Sequence, residues 1–212
     1  MTLIFKAHQT IEFIGDSITD CGRREPTHQP LGAGYVRKIH DLLQAGYPEL
    51  NLSVVNKGIS GDRVPDLQAR WQDDAIALNP DWLFIYIGIN DVWRFFEFER
   101  SEAIPLADFE RTYRQILMDT LGKTQSEVRL ISPYLAERNQ DDPFRKKLSD
   151  YQVVVDSLGE EFDLYVNHLQ PAFDWAMLSQ PADYWTADRV HPTEVGHTLI
   201  TLTILRACGF TL

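Results

Sequence analysis

The chain has 212 residues, a length that suits one domain spanning residues 1–212 with a sizeable buried core. Apolar residues make up 44% and charged residues 24%, which is ordinary for a globular protein and argues against a disordered or fibrous chain. Acidic residues outnumber basic ones by 31 to 20, for a formal net charge of −11. This balance disfavours nucleic acid and anionic membranes as partners, because both require a basic surface.

The cysteines and the N-terminus indicate which covalent links, metal sites and cellular location to expect. Cys21 and Cys208 form no C-x-x-C pair, so we predict neither a disulfide framework nor a zinc ribbon. No histidine partner of Cys21 is evident, and we expect this thiol to be structural. The first residues lack the features of a signal peptide, and no run reaches the roughly 18 apolar residues of a membrane helix. We therefore expect a cytoplasmic protein.

Five short apolar runs predict strands that are buried on both faces. Each run is rich in Ile, Val, Leu or aromatic residues and is followed by small polar residues. In chain order, these runs are 11–14, 52–56, 82–87, 128–132 and 164–167. Continuous apolar runs of this length are typical of parallel strands covered on both sides.

Segments with the apolar spacing of helices lie between these runs. They are 34–45, 64–78, 106–121, 144–158 and 194–207, while 97–105 and 133–143 are predicted as surface loops. The alternation of strand and helix predicts an α/β fold with a doubly wound parallel sheet. In such a sheet the carboxyl ends of the strands meet along one edge, where ligands bind.

Side chains suited to acyl transfer follow the first predicted strand and precede the last helix. Ser17 comes directly after the first strand, and Asp188 and His191 come before the final helix. A serine hydroxyl is a weak nucleophile until a base removes its proton, and His191 can be that base. Asp188 can accept from the other ring nitrogen, which fixes the tautomer and stabilises the imidazolium. The sequence therefore predicts that Ser17, His191 and Asp188 act together on an ester.

Attack on an ester carbonyl creates an oxyanion that needs hydrogen-bond donors. The backbone N–H of Ser17, the backbone N–H of Gly61 and the side-chain amide of Asn90 are the candidates. Glycine at position 61 permits a close backbone approach and a positive φ. Gly58 is the alternative candidate for the glycine position.

Four motifs, in this order, resemble those of the SGNH (GDSL) esterases and lipases. They are Gly15-Asp16-Ser17, Asn56…Gly61, Gly88-x-Asn90-Asp91 and Asp188-x-x-His191. The resemblance spans nearly the whole chain. It implies a three-layer α/β/α sandwich around a mainly five-stranded parallel sheet, flavodoxin-like in type. It also implies a Ser–His–Asp triad and the absence of any cofactor or metal.

Longer stretches around these motifs are similar to the acetylxylan esterase branch of the family. These stretches are 14–23, 55–61, 88–94 and 185–192. The similarity implies removal of acetyl groups from the xylose units of xylan or of xylo-oligosaccharides. Without a signal peptide, short imported oligosaccharides are the more suitable substrate.

Several side chains near the motifs are candidates for substrate contact. Trp93 and Trp185 are expected to rim the site, where aromatic faces stack on sugar rings, and a packing role is the alternative for both. Asp20 and Arg94 are further candidates. Asp16 is also a candidate, although we more readily expect it to tie loops together by accepting backbone hydrogen bonds.

The sequence leaves two alternative functions open and predicts a homo-oligomer. A general short-chain esterase, lipase or thioesterase would use the same scaffold, since one fold hosts many activities. A carbohydrate-binding relative without activity is the alternative from another functional class, and the intact set of catalytic residues counts against it. Relatives often assemble, and the aromatic content leaves room for an apolar contact surface, so a homo-oligomer is expected.

Overall fold

The computed structural model describes residues 2–97 and 102–211. Within them, five parallel strands form one sheet with the order β2-β1-β3-β4-β5. The strands are β1 (Thr10–Gly15), β2 (Ser53–Gly58), β3 (Trp82–Tyr86), β4 (Glu127–Ser132) and β5 (Tyr165–His168). Because the chain leaves β1 and passes to β2 on one side and β3 on the other, the strand order reverses at β1. That reversal marks the ligand site of open α/β sheets.

The helices lie around this sheet in two groups. They are α1 (Ser17–Asp20), α2 (Tyr35–Gly46), α3 (Val64–Ala69), α4 (Ile89–Glu97), α5 (Leu106–Lys123), α6 (Pro143–Glu161), α7 (Gln170–Ala176), α8 (Ala182–Trp185) and α9 (Glu194–Ala207). Helix α2 packs on α9, whereas α5 packs on both α3 and α6. The five-stranded parallel sheet with helices around it confirms the predicted α/β sandwich. No helix in residues 2–97 or 102–211 has the length and apolar character needed to cross a membrane.

The core forms where the central strands meet the helices. Phe13 of β1 stacks on Phe84 of β3 with 4.7 Å between ring centroids, and its edge meets Tyr35 of α2 at 5.6 Å. All three side chains are fully buried. Burial of a side chain of this size contributes about 1.5–3 kcal/mol, so these contacts fix the sheet against α2 and hold the strand ends in place.

The structure differs from the predicted elements at several points. The predicted helix 64–78 divides into α3 and a wider helical turn, Gln72–Ile76, because the chain leaves helical geometry at Arg70. Helix α4, which is separated from the end of β3 by two residues, was not predicted. Of the predicted loop 97–105, Glu97 belongs to α4 and 98–101 lie outside the described residues. Helices α7 and α8 were not predicted, because they are short, with seven and four residues.

Candidate active site

Ser17, His191 and Asp188 form one chain of hydrogen bonds. Ser17 Oγ lies 2.8 Å from Nε2 of His191, and Nδ1 of His191 lies 2.7 Å from Oδ2 of Asp188. An ionised Asp188 can only accept, so Nδ1 carries the ring proton and Nε2 is left to accept from the serine hydroxyl. The structure thus brings together three side chains that are separated by up to 174 residues.

The turn after β1 places Ser17 at the first position of α1. At Gly15 a Cβ atom would stand 2.1 Å from the carbonyl oxygen of Tyr86, so only glycine permits this approach of β1 to β3. Asp16 then caps the helix, its Oδ1 accepting the N–H of Ile18 at 3.0 Å. The N–H of Ser17 belongs to the first turn of α1 and has no helical carbonyl to pair with.

A tight turn holds the other two members of the chain. Oδ1 of Asp188 accepts the backbone N–H of Val190 at 3.1 Å and that of His191 at 2.7 Å. Burial opposes ionisation of Asp188, but the hydrogen bonds from the backbone and ring of His191 outweigh it and lower the pKa of the carboxyl. Both oxygens of Asp188 are therefore engaged in presenting the imidazole.

Gly61, rather than Gly58, has a backbone N–H available for an oxyanion. The N–H of Gly58 donates to Oδ1 of Asn56 at 2.8 Å, and Gly58 is the last residue of β2. Gly61 has a φ of +87°, and within the described part of the chain its N–H has no hydrogen-bond acceptor. Of the two candidates left open by the sequence, the geometry favours Gly61.

Asn90 offers the third donor. It lies in the first turn of α4 and is almost fully buried. Its Nδ2 donates to the backbone carbonyl of Asp62 at 3.0 Å, which fixes the orientation of the amide group and leaves its second N–H free to serve an oxyanion. The neighbouring Asp91 ties α4 to α3 by accepting the N–H of Val64 at 3.0 Å.

Asp16 and Asp20 are both buried in the protein interior. Asp16 is fully buried, and burial raises its pKa to about 7. Asp20 is 6% exposed, and its Oδ2 accepts from both the N–H and the hydroxyl of Ser60. Asp16 caps α1 by accepting from Ile18, and Asp20 supports the loop that carries Gly61 by accepting from Ser60. Substrate contact by either carboxyl group stays a prediction.

The predicted rim residues occupy different environments. The ring of Trp93 meets that of His191 at 5.3 Å between centroids, with an interplanar angle of 64°. Arg94 forms an ion pair with Glu102 at 2.6 Å. Trp185 packs partly against the core, with its Nε1 donating to the carbonyl of Gln180 at 3.2 Å. Trp93 is therefore in direct contact with the candidate base, His191.

Cys21 has a histidine partner that sequence reasoning did not find. Its Sγ lies 3.4 Å from Nε2 of His197 in α9, and Nδ1 of His197 accepts the backbone N–H of Tyr35 at 3.2 Å. Burial raises the pKa of the thiol and lowers the pKa of His197 to about 4. Both groups are neutral near pH 7, so this pair joins α1, α2 and α9 and is not an activated nucleophile.

No group of three or more His, Cys, Asp or Glu side chains within residues 2–97 and 102–211 is arranged to hold a metal ion. Ser17, His191 and Asp188 offer the chemistry of an activated hydroxyl beside hydrogen-bond donors. Such an arrangement can attack a carbonyl carbon and stabilise the resulting negative charge.

Comparisons with known proteins agree with this chemistry. The model of the GDSL-like Lipase/Acylhydrolase family matches residues 13–199. An acetylxylan esterase from Geobacillus stearothermophilus is 42% identical to the chain over 204 residues, which cover 93% of each sequence. The crystal structure of the acetylxylan esterase Axe2 from the same organism superposes with a TM-score of 0.92 at 40% identity, covering 100% of this chain and 98% of that one.

Other solved structures extend the comparison. LAE5, an alpha/beta hydrolase enzyme from the metagenome of Lake Arreo, Spain, superposes with a TM-score of 0.91 at 33% identity, covering 97% of each chain. Three structures of Axe2 are described as catalytic mutants, in which a serine, a histidine or an aspartate is replaced by alanine. The aspartate and histidine of that enzyme are three positions apart, the same spacing as Asp188 and His191 here.

Proposed function

We propose that this chain, which belongs to the GDSL-like lipase/acylhydrolase family, is a serine esterase that removes acetyl groups from acetylated xylo-oligosaccharides. The reaction type is carried by the continuous chain of hydrogen bonds from Ser17 through His191 to Asp188. The substrate class is supported by the 42% identity to an acetylxylan esterase over nearly the full length of both proteins.

The first half of the reaction forms an acetyl-enzyme. Oγ of Ser17 attacks the acetyl carbonyl carbon while Nε2 of His191 takes the hydroxyl proton, and Asp188 stabilises the imidazolium. The carbonyl oxygen becomes an oxyanion, held by the N–H groups of Ser17 and Gly61 and by the Asn90 amide. The bond from carbon to the sugar oxygen then breaks, and His191 passes its proton to that oxygen, so that the free sugar leaves.

The second half releases acetate. A water molecule attacks the carbonyl carbon of the acetyl-enzyme while His191 takes a proton from it. The second tetrahedral intermediate collapses by breaking the bond to Ser17, and the proton on His191 returns to the serine oxygen. The protein groups already named complete this cycle, so the proposal includes no cofactor.

Trp93 supports a short acyl group and a sugar leaving group. Its indole lies against the His191 ring, so a bulky aromatic side chain stands beside the reacting centre. Such a neighbour limits the room for a long acyl chain and offers a flat face to a pyranose ring. This feature argues against a lipase for long acyl chains, and a general short-chain esterase is the alternative that the leaving group distinguishes.

Acyl-chain length and leaving group test the substrate class. We expect kcat/KM for 4-nitrophenyl acetate to exceed that for 4-nitrophenyl octanoate, and acetylated xylo-oligosaccharides to release acetate with a higher kcat/KM than either. Faster hydrolysis of the octanoate ester would refute the acetyl specificity. Equal kcat/KM values for acetylated xylo-oligosaccharides and acetylated cello-oligosaccharides would refute the preference for xylose.

Assembly and location are part of the same proposal. Trp175 and Leu178 are each 70% exposed, which provides an apolar surface for contact between copies of the chain. We expect light scattering to show a homo-oligomer, and a monomer at micromolar concentration would refute this. A cytoplasmic location is tested by fractionating the source cells, and activity in the secreted fraction would contradict it.

A further inference from the structure

Arg70 joins three separate segments near the candidate active site through one side chain. Its Nε donates to Oδ2 of Asp62 at 2.7 Å, its Nη1 to Oδ2 of Asp74 at 2.8 Å, and its Nη2 to the carbonyl of Gly15 at 3.1 Å. The side chain is only 15% exposed. A planar guanidinium can hold three acceptors in fixed relative positions, which a lysine ammonium on a flexible stem cannot do.

The bond to Gly15 acts on the strand end that carries the nucleophile. Gly15 stands two residues before Ser17, at the end of β1. Its carbonyl also accepts the N–H of Ile59 at 2.9 Å, which ties β1 to the loop leading to Gly61. Arg70 therefore holds the point where the nucleophile turn and the glycine loop meet.

The bond to Asp62 acts on the other two oxyanion donors. Asp62 directly follows Gly61, so the position of its side chain constrains the peptide that bears the Gly61 N–H. The backbone carbonyl of the same residue accepts Nδ2 of Asn90 at 3.0 Å. Displacement of Asp62 would move the Gly61 amide and release the orientation of the Asn90 side chain together.

Asp74 anchors the guanidinium from the opposite side. Its Oδ1 accepts from Nζ of Lys57 in β2 at 2.9 Å. Burial opposes ionisation of Asp74, but the bonds from Lys57 and Arg70 outweigh it and lower its pKa. Arg70 is thus held by one carboxylate while it positions another.

We infer that Arg70 is the positioning residue of the oxyanion site, acting through Gly15 and Asp62 on the three donors that hold the developing negative charge. This inference rests on the proposed esterase function. Arg70 acts on the reaction through other residues, so its substitution should impair the step that the oxyanion donors accelerate. Because those donors stabilise the transition state more than the bound ester, perturbing them lowers kcat and leaves KM nearly unchanged.

The test is Arg70→Lys, which keeps the positive charge but cannot span all three acceptors. Complete removal of one oxyanion donor typically costs 10²–10³ in kcat, and displaced donors should cost less, about 10- to 100-fold here. We expect KM for 4-nitrophenyl acetate to change by less than about twofold, since the ground state makes little use of these donors. When Arg70→Lys is introduced into the Asn90→Ala variant, it should lower kcat by a much smaller factor, because Arg70 acts partly through that amide.

Arg114 provides the matched control. It makes a comparable fork of bonds to Glu161 and Glu110, between α5 and α6 at the protein surface. Arg114→Lys should leave kcat at the wild-type value even if both variants lose a similar amount of thermal stability. Wild-type kcat in Arg70→Lys, or an equal loss in both variants, would overturn the inference.

Asp62→Asn keeps the test decisive if Arg70→Lys fails to fold. This variant retains the backbone carbonyl that holds Asn90 but weakens the bond to the guanidinium, so it should also lower kcat at nearly constant KM. A change in KM alone would contradict the role assigned to Arg70. The wild-type protein is assayed first: lack of ester hydrolysis there would refute the proposed function, whereas unchanged kcat in the variants refutes only the role of Arg70.

Discussion

Replacing Asp188 by asparagine should nearly abolish ester hydrolysis while leaving the fold intact. Oδ2 of Asp188 accepts from Nδ1 of His191 at 2.7 Å, which keeps Nε2 free to accept from Ser17. An asparagine amide in the same place donates to Nδ1 and moves the ring proton to Nε2. The base is then blocked on the side that faces the nucleophile, and the stabilisation of the imidazolium is lost as well.

The expected magnitude follows from these two losses. In a serine protease triad the same substitution lowers kcat about 10⁴-fold, equivalent to about 5 kcal/mol of transition-state stabilisation. The hydrogen-bond geometry here has the same connectivity, so we expect kcat for 4-nitrophenyl acetate to fall by about that factor. Because Oδ1 of Asp188 still accepts two backbone N–H groups, an asparagine Oδ1 can keep the turn in place.

The assay compares kcat, KM and the thermal midpoint of Asp188→Asn with those of Asp183→Asn. Asp183 is an exposed carboxylate five residues earlier on α8, and its substitution should change none of the three quantities. A folded Asp188→Asn enzyme that retains more than about a tenth of wild-type kcat would refute the assignment of Asp188 as the partner of the catalytic base, because loss of the productive tautomer costs far more than that.

Three further substitutions test other parts of the structure. Trp93→Ala should raise KM for acetylated xylo-oligosaccharides more than for 4-nitrophenyl acetate, and equal effects would indicate packing alone. Gly58→Ala should lower the free energy of unfolding by about 3 kcal/mol, since its Cβ would stand 2.1 Å from the backbone nitrogen of Asp20; a stable variant would contradict this. His197→Gln should make unfolding less sensitive to acid, as measured by urea denaturation from pH 7 to pH 4.

The sign of the His197 effect follows from its lowered pKa. The native state keeps this ring neutral because burial lowers its pKa to about 4, whereas the unfolded chain protonates it near the ordinary value of 6.5. Its stabilising contribution is complete above pH 6.5 and is lost as the pH falls from 6.5 towards 4, a total of about 3 kcal/mol. The difference in free energy of unfolding between wild type and His197→Gln should therefore decrease by that amount between pH 7 and pH 4. A difference that is independent of pH would show that His197 does not titrate on unfolding.

Sequence patterns predicted the sheet well because both faces of its strands are buried. Segments such as 11–14 and 82–87 are continuous apolar runs, and the observed strands differ from them by only one or two residues at each end. Helix α4 was not predicted, although residues 89, 92, 93 and 96 have the apolar spacing of a helix, because the segment is short and overlaps the Gly88-x-Asn90-Asp91 motif.

Some residues of the site could likewise be predicted from local sequence, and others could not. Ser17, Asp188 and His191 could be predicted because each stands in a short motif beside a strand or helix end, and the fold brings those ends together. Arg70 and the partner of Cys21 could not be predicted. Their contacts join residues far apart in the chain, and no local spacing distinguishes a guanidinium that spans three acceptors from one exposed to solvent.

The most direct test is to identify the atom that receives the acetyl group. The enzyme is mixed with excess 4-nitrophenyl acetate, quenched with acid within milliseconds, digested and analysed by mass spectrometry. We predict an acetyl group on the peptide containing Ser17, bound to that serine and absent when Ser17→Ala is treated in the same way. An acetyl group on another residue, or turnover by Ser17→Ala at the wild-type rate, would contradict the assignment of Ser17 as the nucleophile.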